Sequence, residues 1–471
     1  MSVCANDLLQ NLWCEHQLAD DALNRIILTG SDPVFPSSFA VGTAAQVSMA
    51  AASGLAAEIG HSRGLPQQTV TVNALEAAIE CTGYFTLNGK TTPSFAELSG
   101  LYQCSDGWLR IHANFDHHRD TALTTLGLPA GPDVTRSKVE QSALAWNIDK
   151  LESAIIDNDG ACAGVRTFEE WDALPQSQSV ATLPLVEISK IGEADSKTLP
   201  ALNKEQLPLS GVRILDLTRI LAGPVSGRTL AGYGAEVMLI NSPELPNIDN
   251  IAETSRGKYS AHIDLNTASG QHSMHRLLSD CHVFTQGYRP GAMDTHGLSA
   301  HELADRYPGI IYTSLSAYGR SGPWNTRRGF DSLLQSASGF NMAEASAMGN
   351  DRPTALPMQI LDYASGFLMA FGTQAALQKQ LNEGGSWHVQ VSLARTGHWL
   401  RSMGQEVDWC SCETPDSAPY LRAYPSNYGR LCALPHPVKF SHSTVRWQVP
   451  SSPPGTHEPQ WSCAYRLMND L

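Results

Sequence analysis

Short sequence signals that mark several protein classes are missing from this chain. None of its 10 cysteines forms a CxxC pair, and the closest two, Cys410 and Cys412, are too isolated to indicate a zinc site. The longest apolar stretch, residues 361–377, is interrupted by Asp362 and other polar residues and is too short for a transmembrane span. No basic region followed by an apolar run opens the sequence, so no secretory signal is predicted. We expect reduced thiols and a cytoplasmic protein.

Positive charge is also scarce. The chain has 32 Lys and Arg against 46 Asp and Glu, which gives a formal net charge of −14. Such an acidic chain is a poor candidate for binding nucleic acid or an anionic membrane. Hydrophobic residues make up 42% and charged residues 17% of the 471 positions, a globular composition with length for two or three domains.

Strand-like and helix-like segments alternate over residues 210–320. A small-residue turn, Ala222-Gly223-Pro224, separates the first predicted strand from the first predicted helix. This succession of βαβ units predicts an α/β fold with an open, Rossmann-type parallel sheet. The predicted strands span residues 212–217, 235–240, 282–286 and 310–315, and the predicted helices span residues 225–233, 271–279 and 301–306.

A long helix is predicted from Asp362 to Leu381, followed by an alternating strand over residues 387–393. The N-terminal half contains a weak echo of this order, with a helix that reaches His61 and an alternating run over residues 68–72. The echo indicates a duplicated ancestor.

A polar segment over residues 190–209 contains proline and is predicted to be a linker. It divides the chain into an N-terminal half, residues 1–205, and a C-terminal half, residues 206–471. Residues from about 90 to 170 are predicted to form a smaller α+β domain within the first half.

Basic residues recur where the predicted parallel strands end. Arg219, Lys258 and Arg289 all lie in such loops, where open α/β sheets bind their ligands, and they suit a phosphorylated ligand. Taken singly, each is more often a solvated surface charge. The loop before Gly227 carries no GxGxxG motif, and no acidic residue ends the second strand, so NAD binding is not favoured.

Three histidines, His112, His117 and His118, form a cluster in the N-terminal half. Their spacing matches no zinc arrangement. We therefore predict ordinary loop histidines and no metal site.

Asp362 lies in an apolar run at the predicted start of the long helix. It could simply cap that helix. It could also be a catalytic carboxylate that the helix N–H groups keep ionised. The two roles are compatible.

Residues 208–400 carry an ordered series of motifs and resemble the class III CoA-transferases, which include formyl-CoA and carnitine-CoA transferases and α-methylacyl-CoA racemases. The matching segments, in chain order, are LSGVRILDLTR at 209–219 with AGP at 222–224, RGK at 256–258 with DL at 264–265, YRPGA at 288–292, SAYG at 316–319 with GP at 322–323, GFD at 329–331, and Asp362 before a small-residue helix.

The resemblance implies an enzyme that moves coenzyme A from an acyl-CoA donor to a carboxylic acid. It places the catalytic aspartate at Asp362 and the CoA-binding loops at Arg219, Ala222, Lys258 and Arg289. The implied route passes through an aspartyl mixed anhydride and an aspartyl-CoA thioester. It implies acyl-CoA and a small acid as substrates, no permanently bound cofactor, no metal, and a homodimer.

The chain departs from the family pattern in its order of parts. The family's small domain follows the aspartate-bearing helix, whereas here its features lie in the N-terminal half, so the chain resembles a truncated tandem. No glycine-rich loop like the one that closes over the formyl-CoA transferase site is found. Phe330 stands where the racemases carry a histidine, which disfavours the alternative of an acyl-CoA racemase. A CoA-binding pseudoenzyme is the other alternative.

Overall fold

The computed structural model describes residues 4–462, so residues 1–3 and 463–471, the last of the predicted C-terminal half, lie outside it. The α-helices are α1 Ala5–Glu15, α2 Val41–Ser62, α3 Ala74–Glu80, α4 Asp116–Thr125, α5 Arg136–Ala143, α6 Ile148–Asp157, α7 Phe168–Asp172, α8 Pro175–Ala181, α9 Ala222–Gly232, α10 Ile251–Thr254, α11 Ala268–Leu278, α12 Ala300–Arg306, α13 Asp331–Ala337, α14 Phe340–Ala347, α15 Ile360–Glu383 and α16 Leu393–Ser402.

The strands are β1 Ile26–Thr29, β2 Val70–Asn73, β3 Phe85–Leu87, β4 Lys90–Thr91, β5 Gly100–Cys104, β6 Gly107–Ile111, β7 Cys162–Gly164, β8 Glu187–Gly192, β9 Arg213–Leu217, β10 Glu236–Asn241, β11 Lys258–His262, β12 Val283–Gln286, β13 Ile311–Ser316, β14 Ser386–Ser392, β15 Arg422–Tyr424, β16 Leu431–Ala433 and β17 Lys439–Phe440. Short 3-10 helices lie at Asp20–Arg25, Asp294–His296, Trp409–Ser411 and Ala418–Tyr420.

A seven-stranded sheet in the order β11-β10-β9-β12-β13-β14-β8 forms the centre of the molecule. The six strands from β11 to β14 are parallel, and β8 joins the β14 edge antiparallel. The mixed α/β class predicted from the sequence is therefore confirmed. The predicted linker over residues 190–209 is wrong at its start, because those first residues belong to β8.

Helices cover both faces of this sheet. On one face α9 and α15 pack into the largest apolar core through residues such as Val225 and Phe367. On the other face α11 and α12 contribute Met274 and Leu303 to a second core. Every residue of β9 and β12 is buried, as expected for central strands that are covered on both faces.

The N-terminal half is built onto the same core. Helix α2, rich in alanine, packs along α15, and the Gln374 amide donates to the Ala52 carbonyl at 3.0 Å across this contact. The order α2, β2, α3 repeats the order α15, β14, α16, as the internal echo predicted. A buried ion-pair cluster of Arg228 with Glu80 and Glu253 further ties the two halves together.

A smaller unit lies within the N-terminal half. Strands β5, β6 and β7 form an antiparallel sheet, and α4, α5 and α6 enclose with it a separate apolar core that contains Tyr102, Leu109 and Ile155. Strands β6 and β7 pack against α13, so this unit contacts the C-terminal half at that helix. Within residues 4–462, no helix is long and apolar enough to cross a membrane.

Candidate active site

Asp362 lies in the first turn of α15, with 5% of its surface exposed. The helix begins at Ile360 and Gln359 is its N-cap, so Asp362 is not the capping residue. Its backbone N–H donates to Oδ2 of Asp331 at 3.0 Å, and Asp331 also accepts from Nε2 of Gln335 at 2.6 Å. Two carboxylates from the starts of α15 and α13 are thereby held beside each other.

The electrostatics of this pair differ from the sequence prediction. Burial, and next the charge of Asp331, raise the pKa of Asp362 well above its usual range. Burial also raises the pKa of Asp331 to about 6. Within the described part of the chain, no N–H or O–H group donates to the Asp362 carboxylate. The expectation that helix N–H groups keep Asp362 ionised is therefore wrong, because desolvation and a like charge act against ionisation.

A cavity of about 340 Å³ opens beside Asp362 at the carboxyl ends of the parallel strands. Three of the four residues predicted to contact CoA line it, together with two further arginines and Phe330. The lining includes Arg219, Ala222, Arg289, Arg327, Arg328, Phe330 and Asp362.

The arginines give this acidic protein a local basic site. Arg219 is half-buried and lies over the Phe115 ring at 5.6 Å, and its buried Nε has no hydrogen-bond partner within residues 4–462. Arg289 is exposed, with Asp159 at 4.0 Å, and Arg328 ion-pairs with the same carboxylate at 2.6 Å. The guanidinium groups suit phosphate oxygens.

Arg327 and Arg328 were not predicted as site residues from the sequence. They stand directly before the Gly329-Phe330-Asp331 motif, so their proximity to that motif was a signal that could have identified them. The structure brings both into the cavity lining.

Lys258 does not belong to this cavity, which corrects the prediction for that residue. Its side chain is 0% exposed, and its ammonium donates to Oδ2 of Asp216 at 2.9 Å and to the Pro224 carbonyl at 2.8 Å. A buried ammonium held by a buried carboxylate is part of the protein interior. Contact with a ligand would require breaking that ion pair.

The start of α9 approaches Asp362 closely because of a glycine. A Cβ atom at Gly366, one turn along α15, would lie 2.5 Å from the Ala222 carbonyl oxygen, so only glycine fits there. The preceding loop contains Ile220 with a φ of 74°, a conformation that is strained for a β-branched residue. Such strain is typical of functional loops, and Ile220 lines the cavity.

A second, smaller chamber lies against Asp362. It has a volume of about 20 Å³, and Phe95, His112, Phe330 and Asp362 contribute to its walls. The His112 ring stacks on Phe330 with centroids 3.7 Å apart and an angle of 4° between the planes. Among the described residues, no group of three or more His, Cys, Asp or Glu side chains is arranged to hold a metal ion.

The protein-family model for CoA-transferase family III matches residues 27–199 and 209–416. The chain belongs to this family. Both halves of the chain are included in the match, in agreement with the repeated helix and strand order.

Known relatives of this CoA-transferase family III chain cover parts of it. The "Acetyl-coenzyme A transferase nodX" of Hypoxylon pulicicidum is 28% identical over 70% of the chain and 59% of its own length. The "Probable fatty acyl-CoA transferase Rv3272" of Mycobacterium tuberculosis is 34% identical over 40% of the chain and 50% of its own length. A crystal structure of the Mycobacterium tuberculosis protein shares 32% identity and a TM-score of 0.38, covering 42% of this chain and 58% of that one. The chain thus spans only about half to three fifths of the length of these relatives.

Proposed function

We propose that this protein is an acyl-CoA transferase in which Asp362 forms the covalent intermediate. One observation carries the proposal. Asp362 stands where the arginine-lined cavity of about 340 Å³ meets the chamber of about 20 Å³. A thioester placed there would have its CoA portion among guanidinium groups and its acyl group in a shielded space, with a carboxylate between them.

The first half-reaction uses the ionised fraction of Asp362, whose raised pKa makes its carboxylate a more basic nucleophile. Its oxygen attacks the thioester carbonyl carbon of the donor, the carbon–sulfur bond breaks, and CoA leaves as a thiolate, which leaves a mixed anhydride on Asp362. The thiolate then attacks the aspartyl carbonyl carbon. The carbon–oxygen bond of the anhydride breaks, the donor acid departs as a carboxylate, and CoA is held as an aspartyl thioester.

The second half-reaction runs the same steps with the acceptor acid. Its carboxylate attacks the aspartyl thioester, the CoA thiolate leaves, and a new mixed anhydride forms. The thiolate attacks the acyl carbon of the acceptor, which releases the new acyl-CoA and restores the Asp362 carboxylate. The low exposure of Asp362 supports this route because water would hydrolyse both intermediates.

The surrounding groups have defined roles in this proposal. Arg219, Arg289 and Arg328 would bind the phosphates of CoA, and the first N–H groups of α9, which begins at Ala222, would face developing negative charge. The central sheet would serve as a Rossmann-type CoA-binding domain, and the two halves, residues 1–205 and 206–471, as one active unit. The homodimer remains a prediction, which a measurement of the molar mass by light scattering would test.

The test is exchange of CoA between a panel of acyl-CoA donors and free acids, followed by mass spectrometry of the thioesters. We expect the wild type to form new acyl-CoA species. Asp362→Asn should lose this activity, whereas the matched control Asp305→Asn, a surface carboxylate on α12, should keep it. CoA binding without exchange across the panel would instead support the pseudoenzyme alternative.

A further inference from the structure

The chamber of about 20 Å³ beside Asp362 has room for one oxygen-sized group and no more. It shares Ile220, Leu221, Phe330 and Asp362 with the wall of the arginine-lined cavity, so the two spaces meet at this carboxylate. A thioester carbon held at that junction carries one small substituent, its carbonyl oxygen. That oxygen is the part of the acyl group that the chamber fits.

His112 brings a buried, unpaired nitrogen to the wall of this chamber. It is 5% exposed, and its Nδ1 has no hydrogen-bond partner among the described residues. A buried nitrogen without a partner is costly, and a ligand that pairs with the ring removes that cost. The other polar side chains of the wall differ, because Ser94 is exposed, Asn250 and Gln359 are half-buried, and the Asn114 amide donates to the Ser94 carbonyl at 3.2 Å.

The His112 ring is held in place before any substrate arrives. Leu109 and Ile111 anchor β6 in the apolar core of the small unit, and the backbone N–H of His112 donates to the Ala161 carbonyl at 2.9 Å. The imidazole stacks on Phe330, with centroids 3.7 Å apart and planes 4° from parallel. A donor that is fixed in this way needs no reorganisation when charge develops on the substrate.

The imidazole of His112 is neutral at neutral pH. Burial, and next the charges of His118 and Arg110, lower the pKa of His112 to about 3. A neutral imidazole carries one N–H donor and one acceptor nitrogen. It can therefore donate a hydrogen bond to a negatively charged oxygen, although it is a poor group for proton transfer at this pH.

We propose that His112 stabilises the tetrahedral oxyanion formed at Asp362 by donating its ring N–H to the thioester carbonyl oxygen in the chamber. When the Asp362 oxygen bonds to the carbonyl carbon, the π electron pair of the carbonyl moves onto that oxygen, and the proton stays on the imidazole. When the carbon–sulfur bond breaks, the carbonyl re-forms and CoA leaves as the thiolate. The same contact serves the last step, in which the thiolate attacks the acyl carbon of the acceptor. This inference rests on the proposed transferase function.

The experiment measures exchange between an acyl-CoA and its own isotopically labelled acid, with acetyl-CoA, butyryl-CoA and succinyl-CoA as donors. The enzyme is the full chain as wild type and as three variants. His112→Phe keeps a ring that can stack on Phe330 and removes the donor, whereas His112→Asn and His112→Gln return an N–H group. The matched control is His275→Phe, because His275 on α11 also stacks on an aromatic ring, that of Tyr307.

We expect His112→Phe to lower kcat by about 100- to 1,000-fold, the range for loss of one oxyanion donor, and to leave the Kd of CoA within about threefold. At least one amide variant should exceed His112→Phe in kcat by about tenfold or more. Because His112→Phe removes a buried unpaired nitrogen, its Tm should equal or exceed that of the wild type. The control should keep the wild-type kcat. If His112→Phe does not fold, His112→Leu replaces it as the variant without a donor.

Three results would overturn the role of His112. They are a near-wild-type kcat in the folded variant without a donor, two amide variants that are no faster than that variant, and a loss of CoA affinity as large as the loss of kcat. Absence of exchange by the wild type with all three donors, with no covalent label on Asp362, refutes the transferase function itself. Exchange that the wild type shows and His112→Phe retains refutes only the role of His112.

Discussion

Asp362→Asn should stabilise the protein at alkaline pH while it abolishes transfer. The change removes one of two neighbouring buried carboxylates, Asp362 and Asp331, and keeps the side-chain shape. Burial raises both pKa values, and the charge of Asp331 raises that of Asp362 further, so ionisation of the pair opposes folding. The stabilising contribution of the protonated pair is present below the pKa of the unfolded chain. It is lost as pH rises through the folded-state pKa values.

The size of the effect follows from Asp331. Its pKa rises from a usual 3.8 to about 6, and one pKa unit corresponds to about 1.4 kcal/mol. Keeping this group in the fold thus costs about 3 kcal/mol once the pH exceeds about 6, and Asp362, which is buried beside it with its pKa raised, carries a cost of the same kind. Removing the ionisable Asp362 should raise the free energy of unfolding by about 1–3 kcal/mol at pH 8, with little change at pH 3, which lies below the pKa of the unfolded chain, so that the carboxyl groups are protonated in both states.

Urea denaturation at the two pH values measures this difference. Wild type, Asp362→Asn and the surface control Asp305→Asn are compared with a common slope of unfolding free energy against urea concentration. A gain at pH 8 that vanishes at pH 3, and that the control lacks, supports the description of the pair. An Asn variant that is equal to or less stable than wild type at pH 8 refutes it, as does an equal gain at both pH values.

Three further outcomes are expected. Arg219→Ala and Arg289→Ala should each weaken CoA binding by about 1–3 kcal/mol in calorimetry, and the exposed control Arg430→Ala should not. Unchanged affinity in both variants would reject the placement of CoA. The protein should not exchange the α-proton of a 2-methylacyl-CoA in heavy water, because Phe330 replaces the racemase histidine. The stacked His112 is a weak base, since burial lowers its pKa to about 3. Rapid deuterium uptake would favour the racemase alternative. The separately expressed C-terminal half should not transfer CoA at the full rate, because the N-terminal half completes its core and sheet; full activity of that half alone would contradict this.

Local patterns predicted most of the central sheet. Strands β9 and β10 and helix α9 appear within a few residues of their predicted limits, because their apolar runs and the small-residue turn are contiguous in sequence. Strand β8 was missed because its partner is β14, from the other half of the chain. A polar segment that pairs at a sheet edge carries little local signal.

For the candidate site, too, the sequence was informative where the signal is local and failed where it depends on residues that are distant in the chain. Arg219, Arg289 and Asp362, which line one cavity, could be selected from the sequence because each lies in a short motif beside a predicted strand end or helix start. Lys258 was misplaced because its partner, Asp216, stands 42 positions away. The ionisation of Asp362 was misjudged for a similar reason, since the nearby carboxylate comes from Asp331, 31 positions earlier.

Trapping of the covalent intermediate tests the central claim most directly. Hydroxylamine or borohydride is added during turnover with an acyl-CoA that the wild type uses, and the peptides are mapped by mass spectrometry. Asp362 alone should be modified, only when acyl-CoA is present, and no modification should occur in a folded Asp362→Asn variant. A label on another residue, or near-normal transfer by the Asn variant, would contradict the account.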